Sequence, residues 1–240
     1  MTGPVAAVTL DLDDTVFPQD QWLAGAWAAV ADRGADLGLD RAPLLRALVR
    51  TAAEGSDRGG IIDRALAAVG VPPEEYVGEL VAAFTGHAPA RLTPYPGALE
   101  ALGLLTAVVP VVLITDGNPG IQHGKVAALG LDRLVVHIVV SDELGGRDLR
   151  KPHPAPFRRA LELLDQPAEL VVHVGDRPGK DVAGAQAVGM RAVRVRTGEY
   201  AGLPDPAGLR PWRSAGDLTE AVALLMPLLV REQDGAPARL

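Results

Sequence analysis

The sequence predicts an α/β fold, a doubly wound parallel sheet with an α-helical domain inserted into it. Three observations carry this reading. Several short β-branched runs are almost continuously apolar, as strands buried on both faces are, rather than alternating. Patterns of helical period lie between most of those runs, so the strands are joined by helical crossovers and lie parallel. Between the first run and the second, where a βαβ unit needs only about 30 residues, roughly 70 more are interposed.

Taken in order, the first strand is Val5 to Leu10. Pro18 to Thr93 follow, with Leu23, Trp27 and Val30, then Leu44, Leu45, Leu48 and Val49, then Ile61, Ile62, Leu66 and Val69, then Tyr76, Val77, Leu80, Val81 and Phe84 near helical spacing. Residues 18–93 are expected to form a helical domain, leaving the sheet near Phe17 and returning through the Pro-rich Leu92-Thr-Pro-Tyr-Pro-Gly97. A helix over Gly97 to Ala107 then precedes the strand Val108 to Ile114, and one over Gly120 to Leu129 precedes Leu134 to Val140. Helices over Pro154 to Leu164 and Lys180 to Val188 precede the strands Leu170 to Val174 and Ala192 to Val195, and a last helix covers Asp217 to Val230. The sheet domain is thus residues 1–17 and 94–231, and Glu232 to Leu240 reads as a flexible tail.

Composition bounds the chemistry. With no cysteine there is no disulfide, thiolate ligand or cysteine nucleophile, and any metal must bind through oxygen or histidine. A formal net charge of -7 argues against nucleic acid or an anionic membrane as the main partner. No apolar tract is long enough to span a bilayer, and the N-terminus lacks a basic segment followed by an apolar one, so a soluble cytoplasmic protein is expected. Aromatic residues are only 4%, which gives no sign of a large aromatic interface and leaves a monomer or homodimer as the expectation.

Ligands of an open parallel sheet bind outside the carboxyl ends of its strands. Those ends are polar here: Asp11-Leu-Asp13-Asp14-Thr15 after the first strand, Thr115-Asp116-Gly117-Asn118 after the second, Lys151-Pro152-His153-Pro154 after the third and ahead of a helix, and Gly175-Asp176-Arg-Pro-Gly-Lys-Asp181 after the fourth. Each alone has a plainer explanation, whether a solvated strand end, a turn, a surface lysine or a helix cap. Together they bring carboxylates, a hydroxyl and an ammonium group to one sheet edge. Like charges gathered in an acidic protein repel unless a cation is shared.

In their order and on their strands, these four segments resemble the motifs of the haloacid dehalogenase superfamily of phosphohydrolases, and the helical insertion is similar to the cap of subclass I members. The resemblance covers Val5 to about Arg196, and it implies a Rossmann-like core with an inserted α-helical cap. It implies Asp11 as a nucleophile that forms an aspartyl-phosphate and Asp13 as general acid and then general base. It implies that Thr115 and Lys151 are catalytic and bind phosphoryl oxygens, with Asp116 and Gly117 beside them. Mg2+ would be held by Asp11, the backbone carbonyl of Asp13 and Asp176, with Asp181 as an outer partner. The implied activity is that of a Mg2+-dependent phosphatase for a small phosphorylated metabolite, such as a sugar phosphate or a nucleoside monophosphate.

Alternatives remain at this stage. The stretch SDELGGRDLRK, Ser141 to Lys151, makes Arg150 a rival of Lys151, and Asp116 reads equally as a substrate contact and a turn former. A phosphomutase uses the same nucleophile and acid. A receiver-type signalling domain also phosphorylates an aspartate at a strand end, but it has no substrate for a helical insertion to enclose. A dehalogenase is disfavoured, because displacement of halide from carbon does not require an acid at Asp13. His137 and His173, inside strands, are expected to be buried and hydrogen-bonded. Trp22 and Trp27 are expected to pack within or beside the helical domain, and Arg33, Arg41, Arg46, Arg50 and Arg58 to solvate it.

Overall fold

The structure, a computed structural model, describes residues 3–55 and 58–230. The expected tail from Glu232 to Leu240 lies outside the described residues. In chain order, β1 (Ala7–Leu10) is followed by α1 (Gln19–Asp36), α2 (Arg41–Ala52), α3 (Ile61–Ala68) and α4 (Pro73–Thr85). The chain then alternates through α5 (Ala98–Thr106), β2 (Val111–Thr115), α6 (Pro119–Leu129), β3 (His137–Val140), α7 (Pro154–Leu164), β4 (Val171–Gly175), α8 (Ala183–Ala187) and β5 (Arg191–Val195), and it closes with β6 (Arg213–Ala215) and α9 (Leu218–Leu225). It divides into two compact units, Met1–Gln19 with Arg91–Leu240, and Asp20–Ala90.

The first unit is the expected doubly wound sheet, parallel throughout, in the order β3-β2-β1-β4-β5-β6. Strands β1, β2 and β4 are buried at every residue, which is why they read as continuous apolar runs. On one face, Ala7, Val112, Ile114 and Val171 pack with Phe157, Ala160 and Leu164 of α7 and Ala185 of α8. Each such valine or isoleucine contributes about 1.5–3 kcal/mol by leaving water. Helix starts are set by local chemistry close to the strand ends. Asn118 accepts the Ile121 N–H at 3.2 Å, His153 Nδ1 accepts the Ala155 N–H at 3.1 Å, and proline opens each of these helices where no N–H is needed.

Several boundaries differ from the sequence reading for identifiable reasons. The strand expected from Val108 begins at Val111, because the N–H groups of Ala107, Val108 and Val109 close the end of α5 and Pro110 has none to give. The strand expected from Leu134 begins at His137, since Leu134 and Val135 both bond back to Leu131. His137 is consequently exposed on an edge strand, not buried as expected. The helix expected from Lys180 starts as a wide π turn over Pro178–Val182. The last helix stops at Leu225 instead of Val230: a tight turn containing Pro227 follows, and Leu229 then lies extended beside Val5. A sixth strand, β6, was not expected; its three residues, Arg-Ser-Ala, carry no apolar run.

The second unit has its own core of Trp27, Val30, Leu44, Leu48, Ile62, Leu66 and Leu80. Phe84 sits edge-on to Trp22 at 5.1 Å between centroids and against Trp27 at 4.6 Å, so both tryptophans pack inside this unit. Arg33 pairs with Glu79 at 2.8 Å and Arg41 with Asp32 at 2.5 Å, while Arg46 and Arg50 are exposed. Pairs at such surfaces contribute at most about 1 kcal/mol. Among the described residues, no helix is long and apolar enough to cross a membrane.

Candidate active site

β1 lies between β2 and β4, so the segments leaving these strands open together where the strand order reverses. Asp11 continues β1, its N–H donating to the Val174 carbonyl at 2.9 Å, and its Oδ2 accepts the Thr15 hydroxyl at 3.1 Å. Three residues on, Asp14 turns the chain with a φ of 58°, a region that Asp tolerates better than most residues. Its carboxylate accepts the N–H groups of Gln19 at 2.9 Å and Glu199 at 3.3 Å, and its carbonyl accepts the Thr197 hydroxyl.

Lys151 reaches these carboxylates from the segment before α7. Its ammonium donates to Asp11 Oδ1, to Asp181 Oδ1 at 2.7 Å and to the Ile114 carbonyl at 3.3 Å. The rival Arg150 points elsewhere, with both oxygens of Asp142 at 2.6 Å. The extra length before Lys151 is taken up by two tight turns, Ser141–Leu144 and Arg147–Leu149. Asp116 ties the loops together. Its Oδ1 accepts the Lys151 N–H at 3.0 Å and its Oδ2 lies 3.4 Å from the Lys180 ammonium. Gly117 has a φ of 131°, and a Cβ there would stand 2.8 Å from Nε2 of Gln122. The Thr115 hydroxyl, at the end of β2, is buried with no partner among the described residues.

Asp176 and Asp181 come from the segment after β4. Both oxygens of Asp176 are buried without a donor among the described residues. Burial, then the charges of Asp181, Asp11 and Asp14, push its carboxyl up to about 9. Burial likewise pushes Asp11 up to about 7, against the pull of Lys151. Burial opposes ionisation of Asp181 too, but there Lys151 and the hydrogen bond from His173 outweigh it and hold the carboxyl well below the usual range. Lys151 is the converse: burial opposes its charge, yet Asp11 and Asp181 hold it above the ordinary lysine range. His173 is buried and hydrogen-bonded as expected, with Nδ1 2.9 Å from the Thr9 hydroxyl and Nε2 3.2 Å from Asp181 Oδ1. Burial lowers its pKa, and a neutral ring protonated on Nε2 satisfies both contacts.

Two of the expected metal ligands, Asp11 and Asp176, offer the oxygen donors that a hard cation takes. Carboxylate oxygens of Asp11, Asp176 and Asp181 lie within 4.8 Å of one another, and the two unpartnered oxygens of Asp176 are the kind of group that a cation satisfies. Asp181, expected as an outer partner, stands beside Asp11 and Asp176 in this cluster. Its oxygens are already taken by Lys151, His173 and the Arg177 N–H, the last at 2.9 Å. The side chain of Asp13 belongs to a different set of contacts. Its Oδ1 is 2.7 Å from the Lys125 ammonium and its Oδ2 is 3.2 Å from Gln122 Nε2, both from α6. The sequence reading missed these two residues. The available signal was a lysine and a glutamine on the same buried stripe of α6 as Ile121, Val126 and Leu129.

The family model for haloacid dehalogenase-like hydrolases matches residues 5–189. The glyceraldehyde 3-phosphate phosphatase of Methanopyrus kandleri is 32% identical over 203 residues, covering 82% of this chain and 86% of that one. The phosphoglycolate phosphatase of Rhodospirillum rubrum is 34% identical over 202 residues, covering 80% of each. Among solved structures, a 2-haloacid dehalogenase from Pseudomonas syringae pv. Tomato matches with a TM-score of 0.66 and 28% identity, over 93% of this chain and 99% of that one. Sequence, sheet order and the residues at the strand ends therefore agree: the chain belongs to the haloacid dehalogenase-like hydrolases and is an enzyme of that family.

Proposed function

We propose that this hydrolase is a Mg2+-dependent phosphatase that cleaves a small phosphorylated metabolite through an aspartyl-phosphate on Asp11. The observation that carries the reading is Asp176, a buried carboxyl group beside Asp11 whose two oxygens have no donor among the described residues. Such a group is costly unless a cation meets it. Displacement of halide from carbon requires neither that cation nor an acid at Asp13. Asp11, Asp176 and the Asp13 carbonyl would hold Mg2+, which would supply charge neutralisation to the phosphoryl oxygens.

The chain's own groups supply the rest. Asp11 attacks phosphorus as the bond to the leaving oxygen breaks, and Asp13 gives that oxygen its proton. Lys151, already on Asp11, meets the charge that develops on the phosphoryl group, and the Thr115 hydroxyl has a hydrogen to donate to it. Asp13, now a carboxylate, then takes a proton from the water that cleaves the aspartyl-phosphate, releasing phosphate and restoring Asp11. The Asp20–Ala90 unit takes the part of the cap in this reading. Relatives named for glyceraldehyde 3-phosphate and phosphoglycolate support a short phosphorylated substrate and water as the acceptor.

The test is phosphate release from p-nitrophenyl phosphate and a panel of phosphorylated metabolites, with Mg2+ and with chelator, comparing wild type with Asp11→Asn. Chelator-sensitive turnover that Asp11→Asn abolishes is expected. A wild type that releases no phosphate from any of them would sink the reading.

A further inference from the structure

We infer that Lys125 and Gln122 of α6 are positioning residues that hold Asp13 in place as the acid for the leaving group, an inference that rests on the phosphatase reading. The two stand three residues apart on one helix face, and each takes a different oxygen of one carboxylate, Lys125 at 2.7 Å and Gln122 at 3.2 Å. A carboxylate on a loop samples several rotamers. Held at both oxygens from a buried helix face, this one keeps a single orientation. The Gln122 amide also donates to the Asp116 carbonyl, so it couples the Asp13 segment to the loop that begins at Thr115. Gly117 leaves the space that the amide occupies.

The burial of Lys125 strengthens the inference. Its side chain is 2% exposed, on a stripe shared with Gln122 and with the apolar Ile121, Val126 and Leu129, where an apolar residue would pack at no electrostatic cost. The ammonium faces Asp13 and lies 5.9 Å from the centroid of the Phe17 ring.

In the transfer to Asp11, the electron pair of the breaking P–O bond goes to the leaving oxygen, and the Asp13 proton follows it. Asp13 is left as a carboxylate facing the ammonium of Lys125. An alkoxide needs that proton in order to leave, whereas a nitrophenolate departs without it. Misplacing Asp13 therefore penalises alkyl phosphates selectively, which a general loss of structure does not do.

The experiment compares kcat/KM for p-nitrophenyl phosphate and for the best alkyl phosphate among phosphoglycolate, glycerol phosphate and glyceraldehyde 3-phosphate, in Mg2+, for wild type, Lys125→Met and Gln122→Met. This parameter covers the steps through departure of the leaving group and omits the later hydrolysis of the aspartyl-phosphate. Lys125→Met is expected to lower the alkyl value by about 10²-fold, the scale of general acid catalysis, and to lower the alkyl-to-aryl ratio at least about tenfold. Gln122→Met should act in the same direction, less strongly, and it decides the matter if Lys125→Met does not fold, since it leaves the buried ammonium paired. Equal losses on both esters, no loss, or a wild type that hydrolyses only the aryl ester would overturn the inference and leave the phosphatase reading standing. A wild type inactive on every ester would fail that reading itself.

Discussion

Lys151 and Asp181 form a buried ion pair, Nζ to Oδ1 2.7 Å, with side chains 3% and 1% exposed. Removing one partner of such a pair leaves the other charge uncompensated, at a cost of about 3–5 kcal/mol. Lys151→Met should show that loss in urea unfolding of the metal-free protein, together with a fall in kcat of about 10²–10³-fold. A full loss of activity at unchanged stability would mean that the pair is not formed in solution.

Metal and proton compete at Asp176. In the metal-free protein its carboxyl is raised to about 9 by burial and by the neighbouring carboxylates, so below that pH the folded chain binds a proton that the unfolded chain lacks. A raised pKa contributes stability below the unfolded value and loses it as pH rises through the folded one. Asp11, raised to about 7, adds its share at lower pH, and the depressed Asp181 is fully ionised throughout this range. His173, held neutral by burial, works in the opposite direction only below its ordinary range. Between about pH 7 and pH 9 the Tm of metal-free protein should therefore fall, and the rise produced by saturating Mg2+ should grow. A Mg2+ shift independent of pH would count against Asp176 as a ligand.

Thr115 separates stability from activity. Its buried hydroxyl has no partner among the described residues, so Thr115→Val removes an unsatisfied polar group at nearly constant volume. Stability should stay level or rise by about 1 kcal/mol, while kcat falls by about 10–100-fold through loss of a donor to the phosphoryl group. Thermal unfolding and steady-state rates on the same samples give both numbers.

Gly175 is a further point of leverage. A Cβ at this position would lie 2.4 Å from Cγ of Asp181, so Gly175→Ala must displace that carboxylate from Lys151 and His173. The expected result is destabilisation of about 1–3 kcal/mol, the range for overpacking, with activity lost alongside it. Chemical denaturation and phosphate release would show whether the two losses coincide.

The legible part of this molecule is the part that depends on continuous burial. Val111 to Ile114 and Val171 to Val174 announce themselves as strands because both faces are covered, and Asp11, Thr115 and Asp176 are found by reading one step beyond such runs. What failed was set by the partner and not by the segment. Arg213–Ala215 becomes a strand because β5 offers it a free edge, and His137 is exposed because, among the described residues, no strand pairs with β3 on its outer side. Lys125 and Gln122 gave the least warning, since their place depends on Asp13, a strand-end residue more than a hundred positions away in the chain.

The central place of β1 also governs when the site can exist. Asp11 meets Lys151 across 140 residues of chain and Asp13 meets Lys125 across 112. Early in synthesis β1 has neither flanking strand, and closing such long loops carries its entropic cost before any contact offsets it. A chain that stopped before β4 would leave one side of β1 unpaired and lack Asp176 altogether. Activity recovered during refolding thus reports the pairing of β1 with both β2 and β4, and not the formation of local helices such as α1.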